Sequence, residues 1–276
     1  MDTLFKPYPL PYRILGGLVW SASTLRPRSF ARDAQVAVAG LRPQPEVCGA
    51  EHVPPHGPGL VVCNHYSRPG FDAWWLALAI TAAVAAHRAP GADPEIHWVM
   101  TAAWTFPESP WRHRLLTPLT RRAFERVARV YGFVTMPPMP PEPREMEARA
   151  AAVLRTVRLA RRAACAGGMI GLAPEGRDLP GGLSQPPEGA GEFMALLVQA
   201  GLPVLPVGVA EPDGRLRVSF GPPCVPDIPS ERNRRDQAVA QQVMAAIKSA
   251  NRQIGKSANQ QISKSANRKS QIANDA

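Results

Sequence analysis

Leu60-Val61-Val62-Cys63-Asn64-His65-Tyr66-Ser67-Arg68-Pro69-Gly70-Phe71-Asp72-Ala73-Trp74-Trp75-Leu76 is the stretch that decides the fold. An unbroken apolar run ends at Cys63, Pro69-Gly70 marks a turn, and Asp72 opens a second apolar run that continues to Ala86. That order predicts a short buried strand, a loop and a buried helix. The loop carries an imidazole at the strand's end and a carboxylate at the helix's start, which is a general base with an orienting acid in outline. Farther on, Gly171-Leu172-Ala173-Pro174-Glu175-Gly176-Arg177 repeats the sequence of strand, turn and charged groups. Two loops converging on one site are therefore expected.

The segments around these two loops alternate in type. Residues 96–100, 132–135, 168–173, 203–209 and 215–220 read as strands, and residues 115–130, 145–164 and 191–199 have helical spacing. Pro137-Pro138-Met139-Pro140-Pro141-Glu142-Pro143 reads as a stiff linker. The alternation predicts an α/β fold with a mostly parallel or mixed sheet flanked by helices. Sites in such sheets lie beyond the carboxyl ends of the strands, where His65 and Glu175 fall.

A chain of 276 residues suits one large α/β domain or two small ones. Cys48, Cys63, Cys165 and Cys224 form no CxxC pair, which fits a reduced, cytoplasmic setting in which burial is expected for each. His52, His56, His65, His87, His97 and His113 show no metal-ligand spacing, so no metal is implied. The formal charge is +10, but no aromatic-interleaved basic stripe accompanies it. The excess points to anionic membrane surfaces or acidic substrates and not to nucleic acid.

Composition divides the chain into three parts. Residues 248–276 repeat Lys-Ser-Ala-Asn at 248, 256 and 264, contain no proline, and offer little to bury beyond Ile254, Ile262 and Ile272. This low-complexity tail is expected to be disordered or marginally helical and is excluded from the site. At the other end, residues 1–56 read as a helical or interfacial segment. Ile14, Leu15, Leu18, Val19 and Trp20 would cover one side of a helix near Arg13, Arg26 and Arg28, which suits either shallow membrane contact or packing on the core. Neither this stretch nor residues 73–86 is long enough to span a bilayer, so any membrane association is expected to be peripheral.

Residues 57–247 resemble the lysophospholipid acyltransferases typified by 1-acylglycerol-3-phosphate acyltransferase. Family members carry Asn-His, four residues, then Asp, followed by a central strand ending near an Arg, a Pro-Glu-Gly-Thr-Arg loop and a later Pro-Val strand. The matching pieces here are Asn64-His65 with Asp72, residues 131–136, Ala173-Pro174-Glu175-Gly176-Arg177, residues 202–207 and Phe220-Gly221-Pro222-Pro223. Three departures stand out. Asp72 lies seven positions after His65, two more than the family pattern, as though residues had been inserted around Pro69-Gly70. Arg177 follows Gly176 without the intervening Thr, and Met136-Pro137 stands near the expected Arg. Arg121, Arg122 and Arg68 are the candidates to replace that cation.

The resemblance implies a glycerolphosphate acyltransferase-like single domain acting as an O-acyltransferase without a bound cofactor. Its acyl donor would be the thioester of acyl-CoA or acyl carrier protein, and its acceptor a lysophospholipid. His65 would be the base and Asp72 its orienting acid, with Asn64, Ser67, Arg68, Gly70, Pro174, Glu175, Gly176 and Arg177 around the substrates. Histidine titrates close to neutrality, which suits this work. Ser67 as a nucleophile is disfavoured because no Gly-x-Ser-x-Gly elbow is present. Acyl transfer to a non-phosphorylated lipid, a catalytically inactive lipid-binding homologue and a hydrolase using water remain open. Trp74, Trp75 and Trp104 are candidates for an acyl channel or for core packing.

Overall fold

In the computed structural model, the described residues are 8, 9, 11–106, 108–137, 143–176 and 183–274, with only the backbone given for 144 and 255–274. Among the described residues, seven strands form one sheet: β1 (Glu46–Cys48), β2 (Gly59–Cys63), β3 (Ile96–Thr101), β4 (Val134–Met136), β5 (Met169–Leu172), β6 (Val204–Ala210) and β7 (Arg217–Phe220). Their order is β1-β7-β6-β2-β5-β3-β4. β6, β2, β5, β3 and β4 run parallel, whereas β7 is antiparallel to β6 and carries β1 alongside it. The sheet is therefore mixed and flanked by helices.

Those helices are α1 (Tyr12–Thr24), α2 (Phe30–Ala39), α3 (Ala73–His87), α4 (Pro110–Tyr131), α5 (Met146–Ala166), α6 (Ala190–Gln199) and α7 (Arg232–Asn274). β2 shows why both sheet faces are covered. Side chains alternate along a strand, so Val61 and Cys63 enter the core with Trp75 and Phe30 while Leu60 and Val62 enter a second core with Met194 and Val243. α3 is apolar on nearly all sides and is buried accordingly. No described helix is long and apolar enough to cross a membrane.

α7 ignores the compositional boundary at residue 247. Val239, Val243, Ile247, Ala250 and Ile254 are all buried at helical spacing, so the packed stripe continues through the first turns of the polar repeat. The helix also lies close against β6, because a Cβ on Gly208 would come within 2.5 Å of the Asn251 backbone nitrogen. Arg217 Nη1 donates to Ile254 O at 3.2 Å, and Ser219 Oγ donates to Gln253 Oε1 at 3.1 Å. Truncation after Ile247 is therefore expected to cost on the order of 3 kcal/mol, summing one buried isoleucine and a buried hydrogen bond. Urea denaturation of the truncated and full chains measures it.

The cysteines need one correction. Cys63 is buried, but Cys165 and Cys224 are exposed. Trp75 belongs to the core, whereas Trp74 and Trp104 are exposed, so solvent and not tight packing surrounds those two indoles.

Candidate active site

β2 releases the chain at Cys63, and the next residue fixes where it goes. Asn64 is buried, its Nδ2 donating to Val209 O at 2.9 Å while its Oδ1 accepts from Val209 N–H at 2.7 Å. The side-chain amide thus imitates a peptide group and extends the β2–β6 pairing by one step. Both polar atoms of the Asn64 side chain are thereby engaged with Val209 inside the sheet.

His65 follows, half-buried, at the carboxyl edge of the parallel strands. Its backbone N–H donates to Glu175 Oε1 at 2.9 Å. Glu175 stands just beyond the neighbouring strand β5, in a turn closed by Gly176 N–H to Ala173 O at 3.2 Å with Gly176 at φ +68°. Only 2% of Glu175 is exposed. Its Oε2 accepts from the Ser184 N–H at 2.7 Å and from the Ser184 hydroxyl at 2.8 Å. The two motif loops do meet, through a buried carboxylate that grips the backbone of the histidine.

This geometry changes the role expected for Glu175. A carboxylate enclosed by three protein donors holds His65 and Ser184 in place. Ser184 was not legible as a site residue, since a lone serine in a Pro-rich connection carries no spacing signal. Cys63, directly beneath, is no competing nucleophile: burial pushes its thiol up in pKa and the Glu175 charge adds to the effect.

Asp72 occupies the N-cap of α3 with extended backbone, φ −88° and ψ 144°, and its carbonyl accepts from Trp75 N–H at 2.9 Å. Its side chain makes no capping hydrogen bond and is exposed. The cap position is therefore filled by Asp72 while its carboxylate stays outside the helix's own bonding. Between His65 and Asp72 the chain closes on itself. Phe71 N–H donates to Arg68 O at 3.0 Å, with Pro69 and Gly70 at the corner and Gly70 at φ +79°. Pro followed by a positive-φ glycine is the type II turn pattern, and this turn lies within the longer His65–Asp72 interval.

Arg68 braces that turn. Its guanidinium donates to Glu211 through Nε and, at 2.8 Å, through Nη2, and to Pro69 O through Nη1 at 2.8 Å. The side chains of Arg68 and Glu211 are 8% and 1% exposed, so Arg68 is engaged within the protein and not open to a phosphate. Glu211, just past β6, also accepts from Tyr8 O–H at 3.0 Å and Tyr66 O–H at 3.4 Å. Burial, with Glu211 beside it, raises the Tyr8 phenol above its ordinary range. Tyr8 N–H donates to Gly70 O at 2.9 Å, and the Tyr8 ring meets Phe71 edge-on at 5.1 Å. Glu211→Leu is expected to cost about 3–5 kcal/mol, because it strands a buried guanidinium. Arg68→Met combined with Glu211→Leu is expected to recover most of that loss in thermal denaturation, since the stranded charge is then gone.

The remaining expected contacts divide by position. Ser67 is half-buried in the loop, Pro174 is buried, and Gly176 is exposed beside Glu175. Arg177 and most of the Pro-rich linker lie outside the described residues. Met136 ends β4 where a cation was sought, and its carbonyl accepts from Ala102 N–H at 2.7 Å. Arg121 pairs with Glu145 at 2.7 Å, while Arg122 is exposed on α4.

A sequence profile of the family described as Acyltransferase matches residues 44–210. Among solved structures, the chain is similar to the 1-acyl-sn-glycerophosphate (LPA) acyltransferase PlsC from Thermotoga maritima. The two share 15% sequence identity at a TM-score of 0.44, over 87% of this chain and 93% of that one. No curated protein matches the sequence.

Proposed function

Because the chain belongs to the acyltransferase family, we propose that it transfers a fatty acyl group from a thioester to the hydroxyl of a lysophospholipid such as 1-acylglycerol-3-phosphate. The observation that carries this reading is the bond from His65 N–H to Glu175, which brings the two loops together at the carboxyl edge of the sheet.

The chemistry follows from that placement. The His65 imidazole takes the proton of the acceptor hydroxyl as the oxygen attacks the thioester carbonyl. Asp72, whose carboxylate is not spent on its helix, orients the ring and stabilises the imidazolium. Collapse of the tetrahedral intermediate breaks the carbon–sulfur bond, and the leaving thiolate recovers the proton from the imidazolium. The products are the acylated lipid and a free thiol. Ser67, Gly70, Pro174, Gly176 and Arg177 are the contacts left for the substrates once Asn64, Arg68 and Glu175 are assigned to the scaffold.

The donor is the thioester of coenzyme A or acyl carrier protein, and the acceptor is reached peripherally at the cytoplasmic face of an anionic membrane. A second reading moves the acyl group to a non-phosphorylated lipid. Met136 in place of a cation and the engagement of Arg68 and Arg121 by Glu211 and Glu145 favour it. Thiol release from acyl donors, followed across a panel of phosphorylated and non-phosphorylated acceptors, separates the two. Lipid binding without thiol release from any pair identifies an inactive homologue instead.

A further inference from the structure

α4 carries exposed apolar side chains where a soluble surface ordinarily has few. Trp111, Leu115 and Leu119 are 61%, 65% and 62% exposed. They recur every fourth residue and so form one stripe. Arg122, Arg126 and Arg129 continue that stripe along the helix and are exposed as well. One line on one helix thus changes from large apolar groups to guanidinium groups, with Glu125, between Arg122 and Arg129, the one acid beside it.

The apolar half lies beyond the carboxyl ends of β3 and β4. Trp104, just after β3, donates its backbone N–H to Thr120 Oγ1 at 3.2 Å, and its ring meets Phe124 at 5.1 Å. The edge of the sheet is therefore level with Thr120. From Pro110 to Thr120 the helix rises about 15 Å, so its first turns project past the carboxyl ends of β3 and β4. Trp104, itself 54% exposed, stands at the base of this overhang.

We propose that the overhanging half of α4 docks on an anionic phospholipid bilayer, with Trp111, Leu115 and Leu119 entering the acyl boundary and Arg122 and Arg129 contacting head-group phosphates. Charge complementarity selects this occupant: α4 holds six arginines against a single glutamate, Glu125. The apolar stripe adds a hydrophobic contribution that a charge-only partner would leave uncovered. Docking in this pose turns the carboxyl edge of the sheet toward the membrane. The proposal rests on the lipid-acceptor reading and supplies its membrane surface.

Co-sedimentation with phosphatidylglycerol/phosphatidylcholine vesicles, and with phosphatidylcholine vesicles alone, tests it. The full chain is expected to partition at least about tenfold more strongly onto the anionic vesicles. The triple variant Trp111→Ser, Leu115→Ser, Leu119→Ser is expected to lose at least about tenfold of that binding with its melting temperature unchanged, since these side chains are exposed. Arg122→Glu with Arg129→Glu is expected to remove the preference for anionic vesicles. Three results would overturn the proposal: no vesicle binding by the full chain, wild-type binding by the triple variant, or loss of binding to an acidic carrier protein while vesicle binding persists. Thiol release with a dispersed short-chain acceptor is expected to be the same in the triple variant and the full chain. No thiol release from the full chain in that assay rejects acyl transfer and leaves the vesicle result standing.

Discussion

Replacing His65 with alanine is expected to lower turnover at least about a hundredfold, the low end for the loss of a positioned general base. The variant is expected to fold. The link to Glu175 is made by the backbone N–H of residue 65, which alanine retains, and the imidazole is half-buried at the end of β2. Binding of donor and acceptor is expected to change little, because a general base acts on the proton in flight and not on the resting substrates. The measurement is the initial rate of thiol release at saturating donor, beside a thermal melt of each protein. An unchanged rate in a folded His65→Ala variant removes His65 from the chemistry.

Glu175→Gln is expected to lower both stability and turnover while leaving the acceptor KM nearly constant. The glutamate accepts from the His65 N–H on one oxygen and from the Ser184 N–H and hydroxyl on the other. A glutamine has one acceptor oxygen and one donor nitrogen, so one side of the bridge becomes donor facing donor. At 2% exposure no water relieves that clash, and the cost is expected to be on the order of 3 kcal/mol. Release of the His65 backbone is expected to displace the imidazole from the acceptor hydroxyl, with a fall in kcat of about tenfold or more. If Glu175 instead contacted the acceptor, the substitution would raise KM and leave the melting temperature alone. That outcome would overturn its assignment as a positioning residue.

The strand–loop–helix unit around His65 is legible because three signals agree: an apolar run, a Pro-Gly turn and a residue suited to capping a helix. The sheet's parallel centre is legible for the same reason. β1 escapes because three half-buried residues show no alternation, and its place beside β7 is set by partners far away in sequence. The end of the packed domain escapes for a different reason. The change to Lys, Asn and Ser at residue 248 masks the apolar stripe, which continues to Ile254. At the site, residue types reveal which loops matter but not which way the side chains point. Asn64, Arg68 and Glu175 have the chemistry of substrate ligands, and each is consumed by a partner more than a hundred positions away or, for Glu175, also by Ser184.

The turn at Pro69-Gly70 carries a lesson for how such catalysts are found. Because the corner from Arg68 to Phe71 is closed by its own backbone bond and held from outside by Glu211 and Tyr8, a longer connection can be housed there with both flanks anchored. The interval separating histidine from aspartate is then a loose thread and not a ruler. Search patterns that demand a constant gap will pass over chains of this kind, and a pattern that tolerates a Pro-Gly excursion will recover them.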